Sequence, residues 1–538
     1  MKMTKKIFSV LFLCAILLTS FGKHFTAGTV ISAQEPALRD TLNIGTTNTI
    51  SGMNVFNSSD VVAQWVERFM YPSLMDQAEP GEFTPNIADI TTKDNITYTI
   101  TVGDDVNWSD GTALTADDIA YNLNVIANPQ VETHAASFIT AIAGLDDGGK
   151  LAEGEDTISG LNVVDDKTLE ITLKEAADPA YVKENIGFKV LIAPKHMVEK
   201  EDLTNLGDSE FATNPTVFAG PYRFVKYEHG SYIQLEANEN YFRGEPKIKN
   251  IFIQIMDSTN MVTSLQSGTI DMSAGGGIGL IPITDINALR ENENLFVEAN
   301  PGTSGQFLHI NNTVFDDERV RQAILMATNR DRLVTDLLLG EGEVLASTYT
   351  SLNPYKDPDL APAAYDPDAA KALLEESGFD MSQEIILSVP TGNVTRMTAA
   401  NLIEQDLEAI GLTVTQQTAD FATHLANVTQ GDYQLAMIGL AFNIDPDQTS
   451  YWGSGSINHA NIDDETLEGI LAQGRELTSF DDRYPVYQEF QSYFQEKAFV
   501  APLYADFQFI IKSTKLDGGI KPYWHGSLHD IETWTIAE

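Results

Sequence analysis

The stretch Asn107–Leu123, "NWSDGTALTADDIAYNL", decides how the chain is interpreted. It holds three carboxylates, Asp110, Asp117 and Asp118, beside a tryptophan and an Asp-Gly pair. Carboxylates grouped in this way are able to bind a metal ion or to run acid/base chemistry. They are equally able to build a turn and the start of a helix, and the neighbouring residues distinguish these cases.

The residues around the carboxylates carry the signals of a strand, a turn and a helix start. Tyr98–Val102 alternates apolar and polar side chains and predicts a strand. The following Asp-Gly pair predicts a turn with positive φ at Gly111. Thr115 suits the N-cap of a helix, and Asp118, three residues later, completes a variant of the capping box.

The remaining side chains of the stretch also have structural interpretations. Asp117 lies in the first helical turn, where the helix dipole favours negative charge. Leu114, before the cap, and Ile119, at the fourth helical position, form a hydrophobic staple. Because every carboxylate has a structural role, the sequence favours a capped helix over a metal site or a catalytic site.

Composition limits the function classes. The chain has 538 residues, which predicts two or three lobes, and 43% of its residues are hydrophobic. Its formal net charge of −44 disfavours nucleic acid as a partner, since phosphate binding requires clustered Lys and Arg. The same charge suits a soluble protein whose copies repel one another, and we expect a monomer.

The N-terminus predicts export. A basic start precedes the apolar run Ile7–Leu18, which is short for a membrane span and typical of a signal peptide. We expect cleavage after Ala33 and therefore a signal peptide over 1–33. Cys14 is the one cysteine, so the mature chain has no disulfide and no cysteine site. Leu13 departs from the small residues of a lipobox, which leaves lipid anchoring open.

The rest of the chain predicts a mixed α/β protein. Leu42–Thr46 and Leu169–Leu173 have strand patterns. Asp366, Pro367 and Gly378 mark the cap, the first turn and the end of a helix. Further helices are predicted in "DDERVRQAILMATNRDRLV" and in "TRMTAANLIEQDLEAIGLTV", the latter ending at Gly411.

Several long motifs resemble one protein family. "NWSDGTALTADDIAYNLN", "AGPYRFVKYEHGSYIQLEANENYFRGEPKIKNIFIQI", "SLQSGTIDMSAGGG", "FDDERVRQAILMATNRDRLV" and "NIDPDQTSYWGSG" resemble, in order, segments of the family-5 extracellular solute-binding proteins. The likeness covers about Leu42 to Ala505. It implies an α/β, two-lobed periplasmic-binding-protein-like fold of the cluster C type, with an extra N-terminal subdomain and a hinged cleft between the lobes.

The resemblance also implies a domain organisation. Lobe I would be discontinuous, with an inserted subdomain that contains the opening stretch. Hinge candidates are "NPGTSGQF" and "KAFVAPLY". The expected ranges are 34–68 for the first part of lobe I, 69–210 for the inserted subdomain, 211–303 for the second part of lobe I, 304–499 for lobe II and 500–538 for the third part of lobe I.

Candidate ligand-binding residues gather in "LAFNIDPDQTSYWGSG". A peptide receptor needs a carboxylate for the ligand's ammonium group and partly aromatic pockets. The segment offers Asp445 and Asp447 beside Phe442, Tyr451 and Trp452. By resemblance to peptide-binding members, the ammonium anchor is assigned to Asp445, which precedes a proline. The alternative is an aspartate that caps a turn before that proline.

Two loops are further candidates. Gly276 and Gly277 lie in "SAGGGIGLIP", where bare backbone is able to approach a ligand, although a mobile turn explains the glycines equally well. Ser51, Met53 and Asn54 follow the first strand and are expected in the facing cleft loop.

The sequence therefore predicts an exported receptor, not an enzyme, that captures oligopeptides and delivers them to the permease of an ABC importer. Receptors for a nickel chelate, a sugar or a signalling peptide on the same fold remain alternatives. An exported hydrolase is a remote one, since no G-x-S-x-G or H-E-x-x-H motif occurs. His525 and His529 have metal-like spacing, but we expect surface histidines, no metal and no cofactor.

Overall fold

The structure, a computed structural model, describes residues 37–50, 52–58, 60–275, 277–455, 457–518 and 528–538. The predicted signal peptide, with Cys14, lies outside these ranges. Within them, no helix has the length and apolar character needed to cross a membrane.

Strands and helices alternate along the described chain, which confirms the mixed α/β prediction. The strands are β1 (Leu38–Arg39), β2 (Thr41–Thr46), β3 (Met75–Glu79), β4 (Glu82–Pro85), β5 (Ala88–Thr92), β6 (Thr97–Val102), β7 (Leu161–Asp165), β8 (Thr168–Thr172), β9 (Tyr222–Glu228), β10 (Tyr232–Ala237), β11 (Asn250–Ile255), β12 (Met272–Ser273), β13 (Leu295–Pro301), β14 (Ser304–Ile310), β15 (Gly342–Val344), β16 (Glu384–Pro390), β17 (Thr413–Ala419), β18 (Leu435–Ala441), β19 (Val500–Ser513), β20 (Leu516–Asp517) and β21 (Thr535–Ala537). The α-helices are α1 (Val61–Glu67), α2 (Ala116–Ala127), α3 (Pro179–Val182), α4 (Lys195–Val198), α5 (Glu210–Thr213), α6 (Ser258–Ser267), α7 (Ile286–Arg290), α8 (Glu318–Ala327), α9 (Arg330–Arg332), α10 (Pro367–Ser377), α11 (Val394–Ala409), α12 (Phe421–Thr429), α13 (Glu465–Glu476) and α14 (Phe480–Glu496). Single 3-10 or π-helical segments occupy His134–Phe138, Lys183–Lys189, Leu203–Asp208, Ile283–Asp285, Leu333–Leu337 and Ile531–Thr533.

One strand, β19, is shared by the two halves of the main sheet. The strand order is β17-β16-β18-β14-β19-β12-β2-β11-β10-β9, and β13 and β15 also pair with β19. The first part of β19 pairs with β14, from Val500 to Tyr504, and its later part pairs with β13, from Phe507 to Ser513. The chain therefore passes between the halves inside β19 and at the connection between β13 and β14.

The hydrophobic cores divide in the same way, as a two-lobed fold requires. The largest cluster contains β2, the opening stretch, and β10 and β11. Two other clusters are built entirely from residues between Phe307 and Ala505. The predicted lobe boundaries remain a prediction, because sheet pairing does not define how far each lobe moves as a unit.

The opening stretch folds as its residue pattern predicts. Thr115 caps α2, and the capping box with Asp118 is present in both directions. Gly111 has a φ of +87° in the predicted turn. The staple residues Leu114 and Ile119 are both fully buried.

Each carboxylate of the stretch has a structural partner. Asp110 lies 2.8 Å from Nε2 of His196. The carboxylate of Asp117 forms an ion pair with Lys195, and Asp118 accepts a hydrogen bond from the main-chain N–H of Lys195 at 3.0 Å. These contacts fasten α2 to the start of α4.

The helix termini predicted elsewhere are also confirmed. Asp366 accepts from the N–H of Ala369, and Gly378 ends α10 with a φ of +75°. The helix α11 ends at Ala409, slightly before Gly411, which has a φ of +99° in the turn that leads to β17.

A buried carboxyl group lies at the end of α1. Glu67 is 1% exposed and accepts a hydrogen bond from the hydroxyl of Ser58. Burial raises its pKa from 4.5 to about 8, although the Ser58 hydrogen bond opposes the shift. A raised pKa in the folded state means that protonation of Glu67 stabilises the fold.

We predict that Thr115→Ala weakens α2 by about 1 kcal/mol, because the N-cap hydrogen bond is lost. Amide exchange measured by mass spectrometry over Ala116–Ala127 should become roughly fivefold faster. The control is Thr395→Ala, since the Thr395 hydroxyl makes no hydrogen bond in α11. Unchanged exchange in the Thr115 variant would contradict the capping role.

We predict that Glu67 makes stability depend on pH. Its stabilising protonation is complete below about pH 4.5 and is lost as the pH rises through about 8, at up to about 1.4 kcal/mol per pH unit. The urea midpoint of the natural chain should therefore fall, relative to that of Glu67→Gln, between pH 5 and pH 8. The exposed Glu239 provides the control, Glu239→Gln. If the difference between the urea midpoints of the natural chain and the Glu67 variant stays constant with pH, the raised pKa of Glu67 is refuted.

Candidate functional site

A cavity of about 290 Å³, called here the central cavity, lies where the halves of the main sheet meet. The connection between β13 and β14, the end of β18 and the strand β19 all contribute to it, as do two helical segments of the predicted inserted subdomain. The lining residues are Gln77, Phe138, Glu184, Phe188, Lys189, Gly302, Thr303, Ser304, Leu352, Ala441, Phe442, Asn443, Ile444 and Gln508.

Of the predicted aromatic residues, Phe442 lines the central cavity. Its ring packs edge-on against Phe307, with centroids 5.8 Å apart, and against Tyr451 at 4.9 Å. Tyr451 supports Phe442 from behind and donates its hydroxyl to the carbonyl of Ala441 at 3.1 Å. Trp452 is fully buried and packs against Phe494, so it belongs to the core near the cavity.

The two charged residues among the described lining of the central cavity are paired. Nζ of Lys189 lies 2.9 Å from Oε1 of Glu184 and 2.9 Å from Oδ1 of Asn443. Glu184 also accepts the main-chain N–H groups of Ile444 and Asp445, at 3.3 and 3.1 Å. The carboxylate of Glu184 thus holds the segment that follows β18 against the Lys183–Lys189 segment.

The other lining groups are polar without charge. The hydroxyls of Thr303 and Ser304 and the side-chain amide of Gln508 have no hydrogen-bond partner in the part of the chain that the structure describes. They are half-buried and able both to donate and to accept. Such groups suit the alternating N–H and C=O groups of a peptide main chain.

Asp445, the predicted ammonium anchor, is buried in an ion pair. Its two oxygens face Arg483 as a fork, with distances of 2.8 Å to Nη1 and 3.2 Å to Nη2. Nη1 also lies 3.1 Å from Oδ2 of Asp178, which in turn caps α3. Asp445 therefore connects the 304–499 segment to the 69–210 segment through one guanidinium group.

The guanidinium of Arg483 is saturated. Its Nε donates to the carbonyl of Gly474, and its remaining N–H groups face Asp178, Asp445 and the hydroxyl of Tyr487. Burial alone would lower the pKa of Arg483, but Asp445 raises it overall, so the cation persists.

Removing one partner from such a buried pair costs about 3–5 kcal/mol. A ligand ammonium would have to displace Arg483 to reach Asp445. The role of Asp445 as the ammonium anchor stays a prediction. The alternative, a structural role for Asp445, has a definite partner in Arg483.

Asp445 and Asp447 line a second cavity of about 360 Å³, the side cavity, together with Tyr181, Arg475 and Arg483. Asp447 accepts two hydrogen bonds from Thr449, from its N–H at 3.1 Å and from its hydroxyl at 2.6 Å. Burial raises the pKa of Asp447. The "DPD" aspartates thus face the side cavity and not the central one.

The remaining predicted site residues lie elsewhere. Met53 belongs to the largest core and is 3% exposed, Asn54 is a buried polar residue with 2% exposure, and neither lines one of these cavities. Gly277 is exposed in a turn with a φ of +82°. Ser51 and Gly276 lie outside the described residues.

A group of potential metal ligands contains one of the two predicted surface histidines. Asp76, His529 and Asp530 bring their ligand atoms within 4.8 Å of one another. Arg243 lies 3.2 Å from Asp76 and 3.8 Å from Asp530, so a protein cation already balances these carboxylates. The partner in the predicted spacing, His525, lies outside the described residues.

Sequence reasoning missed Arg483, Glu184 and Gln508. A signal for Arg483 exists in α14, where Tyr487, Phe490 and Phe494 form the buried stripe and Arg483 occupies the preceding position of that stripe. A charged residue in an apolar stripe predicts a buried partner. Glu184 and Gln508 have no comparable local signal, because their partners come from distant segments.

Comparison with known proteins places the chain among transport receptors. The family model described as "Bacterial extracellular solute-binding proteins, family 5 Middle" matches residues 82–461, well over half of the chain. The oligopeptide-binding protein AppA of Bacillus subtilis (strain 168) is 24% identical, with 98% of each chain covered. The periplasmic oligopeptide-binding protein OppA of Salmonella typhimurium is 24% identical, with 89% of each chain covered.

Solved structures have the same fold. Bacillus subtilis AppA in complex with a nonapeptide has a TM-score of 0.72 at 21% identity, covering 94% of this chain and 100% of that one. The ABC transporter substrate-binding protein CtaP of Listeria monocytogenes has a TM-score of 0.79 at 24% identity, covering 93% and 100%. The chain therefore belongs to the bacterial extracellular solute-binding proteins of family 5.

Proposed function

We propose that this protein is the receptor of an ABC importer and that it captures oligopeptides in the central cavity. The observation that carries the proposal is the lining of that cavity, which combines the unpartnered side chains of Thr303, Ser304 and Gln508 with aromatic side chains at the junction of the two sheet halves. The names of the two relatives and of the nonapeptide complex support a peptide ligand.

The same proposal includes the partners and the location. The loaded receptor would deliver its ligand to the permease subunits in the membrane, after export through the signal peptide predicted over 1–33. The lobes predicted at 34–68, 211–303 and 500–538 on one side, and at 304–499 on the other, would close over the ligand at the crossings in β19 and between β13 and β14. The family's extracellular or periplasmic setting supports this arrangement.

Peptide binding is tested directly with the purified full chain. Native mass spectrometry against random di- to octapeptide libraries should detect a bound peptide, and the same peptide should raise the unfolding temperature. Nickel with free histidine, tested by calorimetry, separates the chelate-receptor alternative. If no library binds, the proposed function is wrong.

The position of the ligand is tested by filling the central cavity. We predict that Ser304→Phe reduces peptide affinity by about a hundredfold or more, because the new ring occupies the space of the ligand. Its position in β14, at the pair with Ala441, tolerates an aromatic residue in the strand. The control is Thr413→Phe on the exposed β17. Full affinity in the Ser304 variant, with a normal unfolding temperature, would place the ligand elsewhere.

A further inference from the structure

The central cavity contains no free carboxylate among its described lining residues. Glu184 is bound to Lys189 and to two main-chain N–H groups, and it is 5% exposed. Asp445 is bound to Arg483 in a buried fork. The amino group of a peptide therefore finds no free carboxylate among the described lining of the central cavity, and a carboxylate partner has to lie at its edge.

One such carboxylate lies on the shared strand. Asp506 is exposed, and its side chain, which accepts a hydrogen bond from its own main chain, forms no ion pair or hydrogen bond with another described residue. Surrounding protein raises its pKa by desolvation, while the charge of Arg396 acts in the opposite direction. Solvent contact combined with desolvation is typical of a group on the floor of a cleft, where an ion pair with a ligand is stronger than on an open surface.

The strand register brings Asp506 beside the central cavity. Gln508, which lines the cavity, is two residues along β19 and thus on the same face of the strand. In β19, Gln508 pairs with Asn300 of β13, and Tyr504 pairs with Gln306 of β14. The intervening connection, which includes the lining residues Gly302, Thr303 and Ser304, therefore passes Asp506 along one edge of β19. On the other edge, Asp506 pairs with Gly342 of β15.

The nearby cation does not neutralise Asp506 by contact. Nε of Arg396 donates to Oε1 of Gln306 at 2.8 Å, and its guanidinium forms no ion pair with the carboxylate in the described structure. Gly439 makes room for this arrangement, because a Cβ there would lie 2.6 Å from Nη2 of Arg396. The carboxylate of Asp506 therefore has no ion-pair partner among the described residues.

We propose that Asp506, and not Asp445, binds the amino group of a peptide held in the central cavity, and that Asp445 keeps Arg483 as its partner. This inference rests on the proposed function. The proposed ligands are peptides with a free amino terminus. Their ammonium group is bound by a carboxylate on β19, the strand that joins the two sheet halves.

The test compares free and N-acetylated peptides, because acetylation removes the ammonium charge and little else. The probes are a random di- to octapeptide library and the same library after N-acetylation, measured by calorimetry and native mass spectrometry on the full chain. We expect the natural chain to bind the free library about tenfold more tightly. Asp506→Asn should remove this preference and leave the affinity for acetylated peptides unchanged.

Matched variants complete the design. Asp432→Asn changes an exposed carboxylate before β18, at the end of that strand away from the cavity, and should retain the preference. Asp445→Asn should lower the unfolding temperature and also retain the preference. Asp506→Ser provides a second variant at the proposed position.

The outcomes separate the two proposals. No binding of either library would overturn the proposed function. Binding of free peptides with the preference intact in both Asp506 variants would overturn the inference alone. Loss of the preference in Asp445→Asn, with its retention in Asp506→Asn, would transfer the role to Asp445 and also overturn the inference.

Discussion

The guanidinium of Arg483 is the interaction on which the arrangement of the cleft depends. It connects α14 to Asp445, in the segment that follows β18, and to Asp178 at the cap of α3. A buried cation with two carboxylates is stable only while all of its donors are satisfied. The positions of β18, α3 and α14 are therefore coupled, and so is the wall of the central cavity that the end of β18 provides.

A second coupling acts beside the first. Glu184 accepts two successive N–H groups from the segment that follows β18, and Lys189 bridges Glu184 and Asn443. Both couplings connect a segment before residue 210 with one after residue 440. Glu184 and Lys189 are thus engaged in holding these segments together. The proposed recognition of a peptide inside the central cavity therefore depends on hydrogen bonds and shape, with Asp506 at the edge as the proposed charged partner.

Local features could be predicted from the sequence, and features that depend on distant partners could not. The cap at Thr115, the turn at Gly111 and the end of α10 at Gly378 were predicted because each is decided by residues within one turn of the chain. The two-lobed fold followed from a resemblance spread over many motifs. Phe442 lines the central cavity, and its role in ligand binding stays a prediction.

The ion pair of Asp445 could not be predicted from the local sequence. An Asp-Pro segment has the same local pattern whether its carboxylate is free or paired, and the partner, Arg483, lies 38 positions away. Trp452 illustrates the same limit, because an aromatic residue in a motif is apolar in either role and only packing shows that it is buried. Asp506 went unnoticed because a single acidic residue in a strand has no pattern at all.

The shared strand has a mechanical consequence. If one half of the sheet rotates relative to the other, the change in backbone angles falls on the few residues where β19 passes between them and on the connection between β13 and β14. Atoms next to a pivot move least, and Ser304 and Gln508 adjoin it. A ligand that first contacts these residues would meet nearly the same surface in the open and closed forms. The protein can therefore select its ligand before the lobes close.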